Sequence, residues 1–401
     1  MKIGIVTPWF TDSISGGAER FAGGIAQSLT KAGCNVEILT TCGKDSFWPW
    51  DDNYYDPGIY AVNNITVRRF ELRKRNKRKY EEILGKLISK EKIKYSEQLQ
   101  LFHETVNSDT LYEFIFANQE NYIYFFIPYL FGTSFWGSKL TPERSFLIPC
   151  LHDEDMAYLE SVGHMFNRVN GILFNTIEEQ QLASRLHNIN IEDSVVSGGG
   201  VEINLEPNNQ GFRQKYRIET DYFIYVGRLV SGKNVPQMLE LFNRFYENSD
   251  QQAKLLVVGK GEKQIIDTIK NSPGLIHMGE LNDQDKFDAI SGSVALIQPS
   301  LMESFSIVIM ESWLCGTPVI VHELSAVTKG HCDRSKGGLY YKDYDSFENI
   351  LHKYLNSREE IKTMGLQGKK YVESEYTWEL TATRIINFLI EKGFRKEEIL
   401  N

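Results

Sequence analysis

The chain has 401 residues, 42% of them hydrophobic and 24% charged, with a formal net charge of −9. That is the composition of a soluble globular protein long enough for two domains, and its acidic balance excludes a nucleic-acid binder of the basic kind. Five cysteines, odd in number and without a CxxC, argue against a zinc site or a disulfide framework and for a reducing compartment.

Lys2–Thr7 reads as a strand opening into a loop at Pro8–Gly17, with an apolar run too short for a signal peptide. A helix over Ala18–Ala32, stopped by Gly33, and a strand over Val36–Thr40 complete a βαβ unit. Further strands are expected at Ile65–Phe70, Phe114–Phe116, Tyr122–Ile127, Ser145–Leu151 and Gly171–Asn175. One long helix is expected over Lys79–Thr105 and another over Ile177–His187. The longest apolar run, Tyr122–Phe131, is about half a membrane span and contains Pro128, so it reads as a buried strand and the loop after it.

Gly198, Gly199 and Gly200 mark a linker edge. Beyond them come strand Asp221–Val226, helix Asn234–Asn248, strand Lys254–Val258, helix Glu262–Lys270, strand Leu275–Met278 and helix Asp283–Ile290. Val294–Pro299 reads as a buried strand, and a last helix covers Trp378–Lys392. Alternating strands and helices with apolar strands predict an α/β protein with parallel sheets covered on both faces. Two such domains, 1–200 and 201–377, facing across a deep cleft are the simplest arrangement.

The strongest motif is Glu303-Ser-Phe-Ser-Ile-Val-Ile-Met-Glu311 followed by Gly316-Thr-Pro-Val-Ile. It puts two carboxylates at a loop-to-helix junction, where Ser300, Ser304 and Ser306 offer N-caps and Gly316 ends the helix. A helix start with free N–H groups is a seat for phosphate. Carboxylates beside that seat make sense if each accepts hydrogen bonds from hydroxyls flanking a diphosphate, as in a nucleotide sugar. Tyr225-Val-Gly-Arg-Leu-Val-Ser-Gly-Lys-Asn234 puts Gly227, Arg228 and Lys233 at a strand's carboxyl end, where ligands of open α/β sheets bind. Arg and Lys there can bracket a diphosphate. Ser15-Gly-Gly-Ala-Glu-Arg20 is a weaker glycine loop and not Gly-x-Gly-x-x-Gly, which disfavours a dinucleotide site. His152 follows a strand in Pro149-Cys-Leu-His-Asp153.

The Glu-x7-Glu motif, the Gly-Arg-x4-Lys-Asn context and Val258-Gly-Lys-Gly261 together resemble the retaining GT-B-fold glycosyltransferases of glycosyltransferase family 4 (glycosyl transferases group 1). The resemblance is strong over Tyr222–Leu339 and partial over Lys2–Gly43 and Ile148–Glu202. It implies a GT-B fold with an acceptor domain at 1–200, a nucleotide-sugar donor domain at 201–377, and a C-terminal helix, about 378–401, packing back on the first domain. It assigns catalysis to Arg228, Lys233, Glu303 and His152. It assigns donor binding to Gly16, Gly17, Gly227, Leu281, Ser304, Phe305, Ser306, Ile307, Val308 and Glu311. Arg228 and Lys233 would neutralise the leaving diphosphate, Glu303 would hold the hexose and Glu311 the ribose. Glycine is common in the family where Ser304 and Ser306 stand, which puts donor choice in doubt.

The expected function is retaining, metal-independent transfer of a hexose from a nucleotide-diphosphate sugar, UDP-sugar before GDP-sugar. The acceptor would be a glycan or glycolipid in bacterial cell-surface polysaccharide synthesis. Competing readings are an epimerase, hydrolase or phosphorylase on the same fold, or a non-catalytic sugar-nucleotide-binding protein. No cofactor is expected. Asp153-Glu-Asp155 superficially matches a metal motif, but the basic diphosphate site removes the need for a metal, and Asp153 is expected to orient His152 or contact acceptor. The segment from about Trp48 to Phe135 matches nothing nameable and is expected to set acceptor specificity. Location is expected to be cytoplasmic. Arg68, Arg69, Arg73, Lys74, Arg75, Lys77, Arg78 and Lys79 lead into a helix with Ile83, Leu84, Leu87 and Ile88 on one face. That combination allows peripheral contact with an anionic membrane, the favoured alternative being a solvated loop and a core-packed helix.

Overall fold

The computed structural model describes residues 1–11, 16–250 and 253–400, so Ser15 of the glycine loop lies outside the described residues. The chain divides into two compact units, Met1–Gly200 with Trp378–Asn401, and Val201–Thr377.

The first unit holds strands β1 (Lys2–Thr7), β2 (Asn35–Thr41), β3 (Gly58–Val62), β4 (Ile65–Phe70), β5 (Tyr122–Phe126), β6 (Ser145–Leu147), β7 (Gly171–Phe174) and β8 (Ser194–Val196). They form one sheet in the order β3-β4-β2-β1-β5-β6-β7-β8. β1 pairs in parallel with both β2 and β5, and the edge pair β3–β4 is antiparallel. That hairpin turns at Asn63 and Asn64, both left-handed at φ 50° and 63°, the conformation a tight two-residue turn demands. β5 is buried along its whole length, as a central strand covered on both faces must be. Helix Gly17–Lys31 buries Phe21, Ala22, Ile25, Ala26 and Leu29 on one stripe. Helix Trp378–Glu391 belongs to this unit, with the Trp378 ring 6.1 Å from that of Phe21.

Two expectations need correction here. Phe114–Phe116 is not a strand; it lies in helix Asp109–Ala117, whose first turn is capped by the Ser108 hydroxyl. The single helix expected over Lys79–Thr105 is two, Lys77–Ile88 and Tyr95–His103, separated where Lys90 turns left-handed at φ 61°. The basic run is largely consumed within the unit. Arg68 pairs with Glu37, Arg69 is buried on the Phe10 carbonyl, Arg73 pairs with Asp109, and Arg75 binds the Glu104 carbonyl. Ile83 and Leu87 are buried in the unit's own core. Among the described residues no helix is long and apolar enough to cross a membrane.

The second unit holds β9 (Tyr222–Val226), β10 (Lys254–Val258), β11 (Leu275–Gly279), β12 (Leu296–Gln298), β13 (Val319–His322) and β14 (Gly338–Tyr341). The order is β11-β10-β9-β12-β13-β14, parallel throughout. Phe223, Tyr225, Leu255, Val257, Phe242 and Phe245 form its core, each side chain contributing about 1.5–3 kcal/mol by burial. Strand order reverses between β9 and β12, so the loops leaving those two strands diverge and open a crevice at their carboxyl ends. The first sheet reverses between β1 and β5.

Candidate active site

Both sequence motifs of the second unit emerge at its strand-order reversal. Gly227 and the exposed Arg228 follow β9, and Glu303 follows β12. Two glycines shape this end. A Cβ on Gly259 would lie 1.9 Å from the Gly227 carbonyl oxygen, and one on Gly261 1.9 Å from that of Leu229. The loops after β9 and β10 therefore touch backbone to backbone, with Gly227 N–H donating to Val258 O at 3.0 Å and Leu229 N–H to Lys260 O at 2.8 Å. This packing gives Val258-Gly-Lys-Gly261 its physical reason. The buried Tyr225 hydroxyl donates to the Arg228 carbonyl at 2.9 Å. Burial pushes that phenol up, the nearby Glu303 carboxylate adds to the rise, and the Arg228 guanidinium opposes it.

Lys233 Nζ lies 2.7 Å from Glu303 Oε1, with 25% and 11% of the two side chains exposed. Asn234, left-handed at φ 57°, donates from Nδ2 to the Pro299 carbonyl at 3.3 Å, tying the lysine's turn to the Glu303 loop. Glu311, on the second turn of helix Ile307–Leu314, is buried and paired at 3.1 Å with Lys286 Nζ. Lys286 comes from helix Asp283–Ser291, which starts after the half-buried Leu281 with Asn282 as N-cap. Lys286 Nζ also lies 3.1 Å from the exposed Asp283, so Arg228, Lys233 and Lys286 stand here against Glu303, Glu311 and Asp283.

The N-cap expected from serine is absent in its usual form. Ser306 is the N-cap residue, but it sits left-handed at φ 67°, ψ 73° and its side chain makes no cap bond. Its Oγ lies 3.4 Å from Gln298 Nε2. The half-buried Ile307 and Val308 begin the helix, where first-turn N–H groups have no intrahelical acceptor. Ser304 and Phe305 are buried behind them. The Phe305 ring packs against Tyr376 (5.3 Å) and His331 (5.9 Å).

In the first unit Gly16 is the N-cap of helix Gly17–Lys31 and Gly17 is exposed. His152 follows β6, its side chain 30% exposed and its Nδ1 3.8 Å from Glu154 Oε1. Glu154 also accepts from Tyr129 Oη at 3.0 Å, and burial raises its pKa. Behind His152, the buried Glu179 takes Leu151 N–H and Asn175 N–H on its two oxygens, 2.6 Å each, and so ties the ends of β6 and β7 together. Asp153 does not orient His152; its oxygens serve Tyr158 and Arg185, because the backbone turns the carboxylate toward helix Ile177–His187. Asp155 pairs with Lys90. Among the described residues no group of three His, Cys, Asp or Glu side chains could hold a metal ion.

Lys286, Asn234, Tyr225 and Glu179 are absent from the sequence-derived set. Asn234 follows Lys233 in the motif and could have been read from it. Tyr225 opens the same motif and acts three residues on, at Arg228. Lys286 and Glu179 act through contacts between more distant segments.

The model of the glycosyl transferases group 1 family matches residues 208–371, a span containing the whole constellation of the second unit. Residues 208–371 form a group 1 glycosyl transferase domain. The chain is also similar to a GDP-mannose-dependent monoacylated alpha-(1-6)-phosphatidylinositol monomannoside mannosyltransferase of Corynebacterium glutamicum, 25% identical over 149 residues, or 34% of this chain and 39% of that protein. The chain thus matches less than half the length of this relative. As a fold, the chain is similar to sucrose-phosphate synthase from Thermosynechococcus elongatus, with a TM-score of 0.73 at 14% identity over 97% of this chain and 98% of that one. It is equally similar to HepE of Anabaena in complex with UDP and glucose, with a TM-score of 0.72 at 14% identity over 98% and 100%. The fold around the group 1 domain is GT-B, with two parallel-sheet domains.

Proposed function

We propose that the protein transfers a hexose from a nucleotide-diphosphate sugar to a glycan or glycolipid acceptor, retaining configuration at the anomeric carbon and needing no metal. The observation that carries this reading is the pair of lysine–glutamate contacts, Lys233–Glu303 and Lys286–Glu311, flanking a helix start without a side-chain cap. Cation and carboxylate alternate there as phosphate and hydroxyls alternate along a nucleotide sugar. Arg228 and Lys233 hold the diphosphate, with the backbone N–H groups of Ser306, Ile307 and Val308. Glu303 accepts from the hexose and Glu311 from the ribose, with Leu281 beside the base. In the first unit, His152 serves the sugar, and Gly16 and Gly17 serve the diphosphate or the acceptor.

As the bond from C1 to phosphate oxygen breaks, the nucleoside diphosphate leaves with the electron pair. Stabilising that charge by fixed cations is the largest contribution to rate. The acceptor oxygen bonds to C1 from the same face and passes its proton to the departing phosphate. UDP-hexose is the first donor to test and GDP-hexose the second; the C. glutamicum relative is named for GDP-mannose and HepE was solved with UDP and glucose. An acceptor in cell-surface polysaccharide synthesis fits the lipid-linked mannoside in that relative's name. Membrane contact through Lys74, Lys77, Arg78 and Lys79 has weaker support, since the last three pair with Glu81 or Glu82 on their own helix.

Thermal shift with UDP-, GDP- and ADP-sugars tests the donor class. One nucleotide sugar should raise the melting temperature more than its free nucleoside diphosphate does. Equal shifts for sugar and free diphosphate would leave Glu303 without a hexose to hold and overturn the reading.

A further inference from the structure

We infer that Glu179 is a positioning residue: its carboxylate fixes the turn that carries His152, and so the histidine itself. This rests on the reading in which His152 serves the sugar, and adds the device that holds it. A glutamate three residues past a threonine cap ordinarily serves the start of its own helix. Thr176 is such a cap, accepting from Glu179 N–H, and Glu179 Oε2 accepts from Asn175 N–H at 2.6 Å. The other oxygen does something the helix has no need of. Oε1 accepts from Leu151 N–H, also at 2.6 Å, at the residue before His152 and 28 positions away in sequence. Glu179 and Leu151 are both buried. Burial pushes the carboxyl up to about 8, and the N–H groups of Asn175, Leu151 and Thr176 oppose that rise.

The turn needs holding. Cys150 is left-handed at φ 51°, a conformation that favours glycine and persists in other residues only where the surroundings over-determine it. Those surroundings can be named. The Pro149 carbonyl accepts from Tyr129 N–H at 3.1 Å, and the His152 carbonyl accepts from Glu154 N–H at 2.9 Å. Glu154 Oε1 accepts in turn from Tyr129 Oη at 3.0 Å. Tyr129, just past β5, thus pins the turn on both sides of His152, and Glu179 pins its centre from the start of helix Ile177–His187. His152 keeps 30% of its side chain exposed in the middle of these contacts. Such preorganisation lowers the cost of ordering the ring in the transition state. Two N–H groups on separate strand ends need two acceptor oxygens, which a carboxylate has. Glutamine has one, and turns an N–H toward the other donor.

The test combines rates with histidine NMR on the full chain. Glu179→Gln should lower transfer about 10-fold and leave the affinity for free UDP or GDP unchanged, because Arg228, Lys233 and Glu311 lie in the other unit. In a His152→Ala background the same substitution should lower transfer no further, since its effect passes through that side chain. Ser108→Ala removes the cap of helix Asp109–Ala117 in the same unit. It destabilises without touching the turn and should leave the rate as in the parent. With ¹³C-labelled histidine, the His152 ring signal, assigned by its loss in His152→Ala, should move in Glu179→Gln and stay in place in Ser108→Ala. Glu179→Asp, one methylene too short to span both N–H groups, should move the same signal and serves if the glutamine variant does not fold. An unmoved His152 signal, or rate losses that multiply in the double variant, would overturn the inference. A signal that moves in a protein that transfers sugar from no donor would sink the transferase reading and leave the hold of Glu179 on His152 standing.

Discussion

Lys233 and Glu303 are in contact at 2.7 Å, each neutralising the other. A diphosphate offers Lys233 a stronger partner, and a hexose offers Glu303 hydroxyl donors, so donor binding exchanges one ion pair for two sets of contacts. Glu303→Gln removes both the competing partner and a negative charge beside the diphosphate. Free nucleoside diphosphate is therefore expected to bind at least as tightly to the variant as to the parent, while transfer falls about 100-fold or more. Calorimetry on the free nucleotide and rate measurement on the sugar check the two halves. Weaker nucleotide binding in Glu303→Gln would contradict the exchange.

Lys286 and Glu311 are 12% and 3% exposed, so removing the lysine takes the neutralising cation away from a buried carboxylate. Lys286→Met should cost about 3 kcal/mol in urea unfolding. Lys286→Met with Glu311→Gln should recover part of that stability without recovering transfer. A double variant no more stable than the single would mean that the pair is not coupled.

Ser306 occupies a left-handed conformation that favours glycine. Ser306→Gly should raise stability by about 1 kcal/mol through relief of the side-chain penalty. A loss of stability would show that the contact with Gln298 outweighs the backbone cost.

His331 is fully buried behind Phe305, with its Nδ1 3.0 Å from the Tyr371 hydroxyl and the Arg334 guanidinium nearby. Burial, aided by Arg334, depresses its pKa from 6.5 to about 3. Between those values the unfolded chain binds the proton and the folded chain does not, so stability falls as pH drops below 6.5. At pH 5 the loss should approach 2 kcal/mol for this one group. His331→Gln removes the dependence, and the stability gap between parent and variant should shift by about that amount from pH 7.5 to pH 5. Parallel curves would refute the assignment.

Much of this was legible in the sequence, and the failures have physical causes. The central strands of both sheets announce themselves because a strand covered on both faces must be apolar throughout, as in Tyr122–Phe126, whereas the edge strands Ser194–Val196 and Gly338–Tyr341 carry no such signal. Phe114–Phe116 carries the same apolar signal within a helix, and only Ser108 followed by Asp109 marks the helix start. The break between the helices before and after Lys90 lacks glycine or proline, so nothing local announces it. Hairpin strand Gly58–Val62 is exposed along most of its length, and its signal is the turn pair Asn63-Asn64 rather than an apolar run. Arg228 and Glu303 stand in the loops after Tyr222–Val226 and Leu296–Gln298, a placement the apolar strands before them make legible. Lys286 is not legible in this way, because it meets Glu311 across two helices 25 residues apart. Ser306 has the residue type of an ordinary cap, but residue type reveals hydrogen-bonding capacity and not the sign of φ.

The most direct test is release of nucleoside diphosphate from UDP-glucose and GDP-mannose, with and without a saccharide acceptor, in the presence of EDTA. Release from one of the two donors should be stimulated by acceptor and survive chelation. Arg228→Ala and Lys233→Ala should each lower it by about 100-fold or more, since each removes a fixed cation from the leaving diphosphate. Near-parental rates in both variants, or activity that chelation abolishes and Mg²⁺ restores, would contradict a donor site in which these two side chains carry the leaving-group charge.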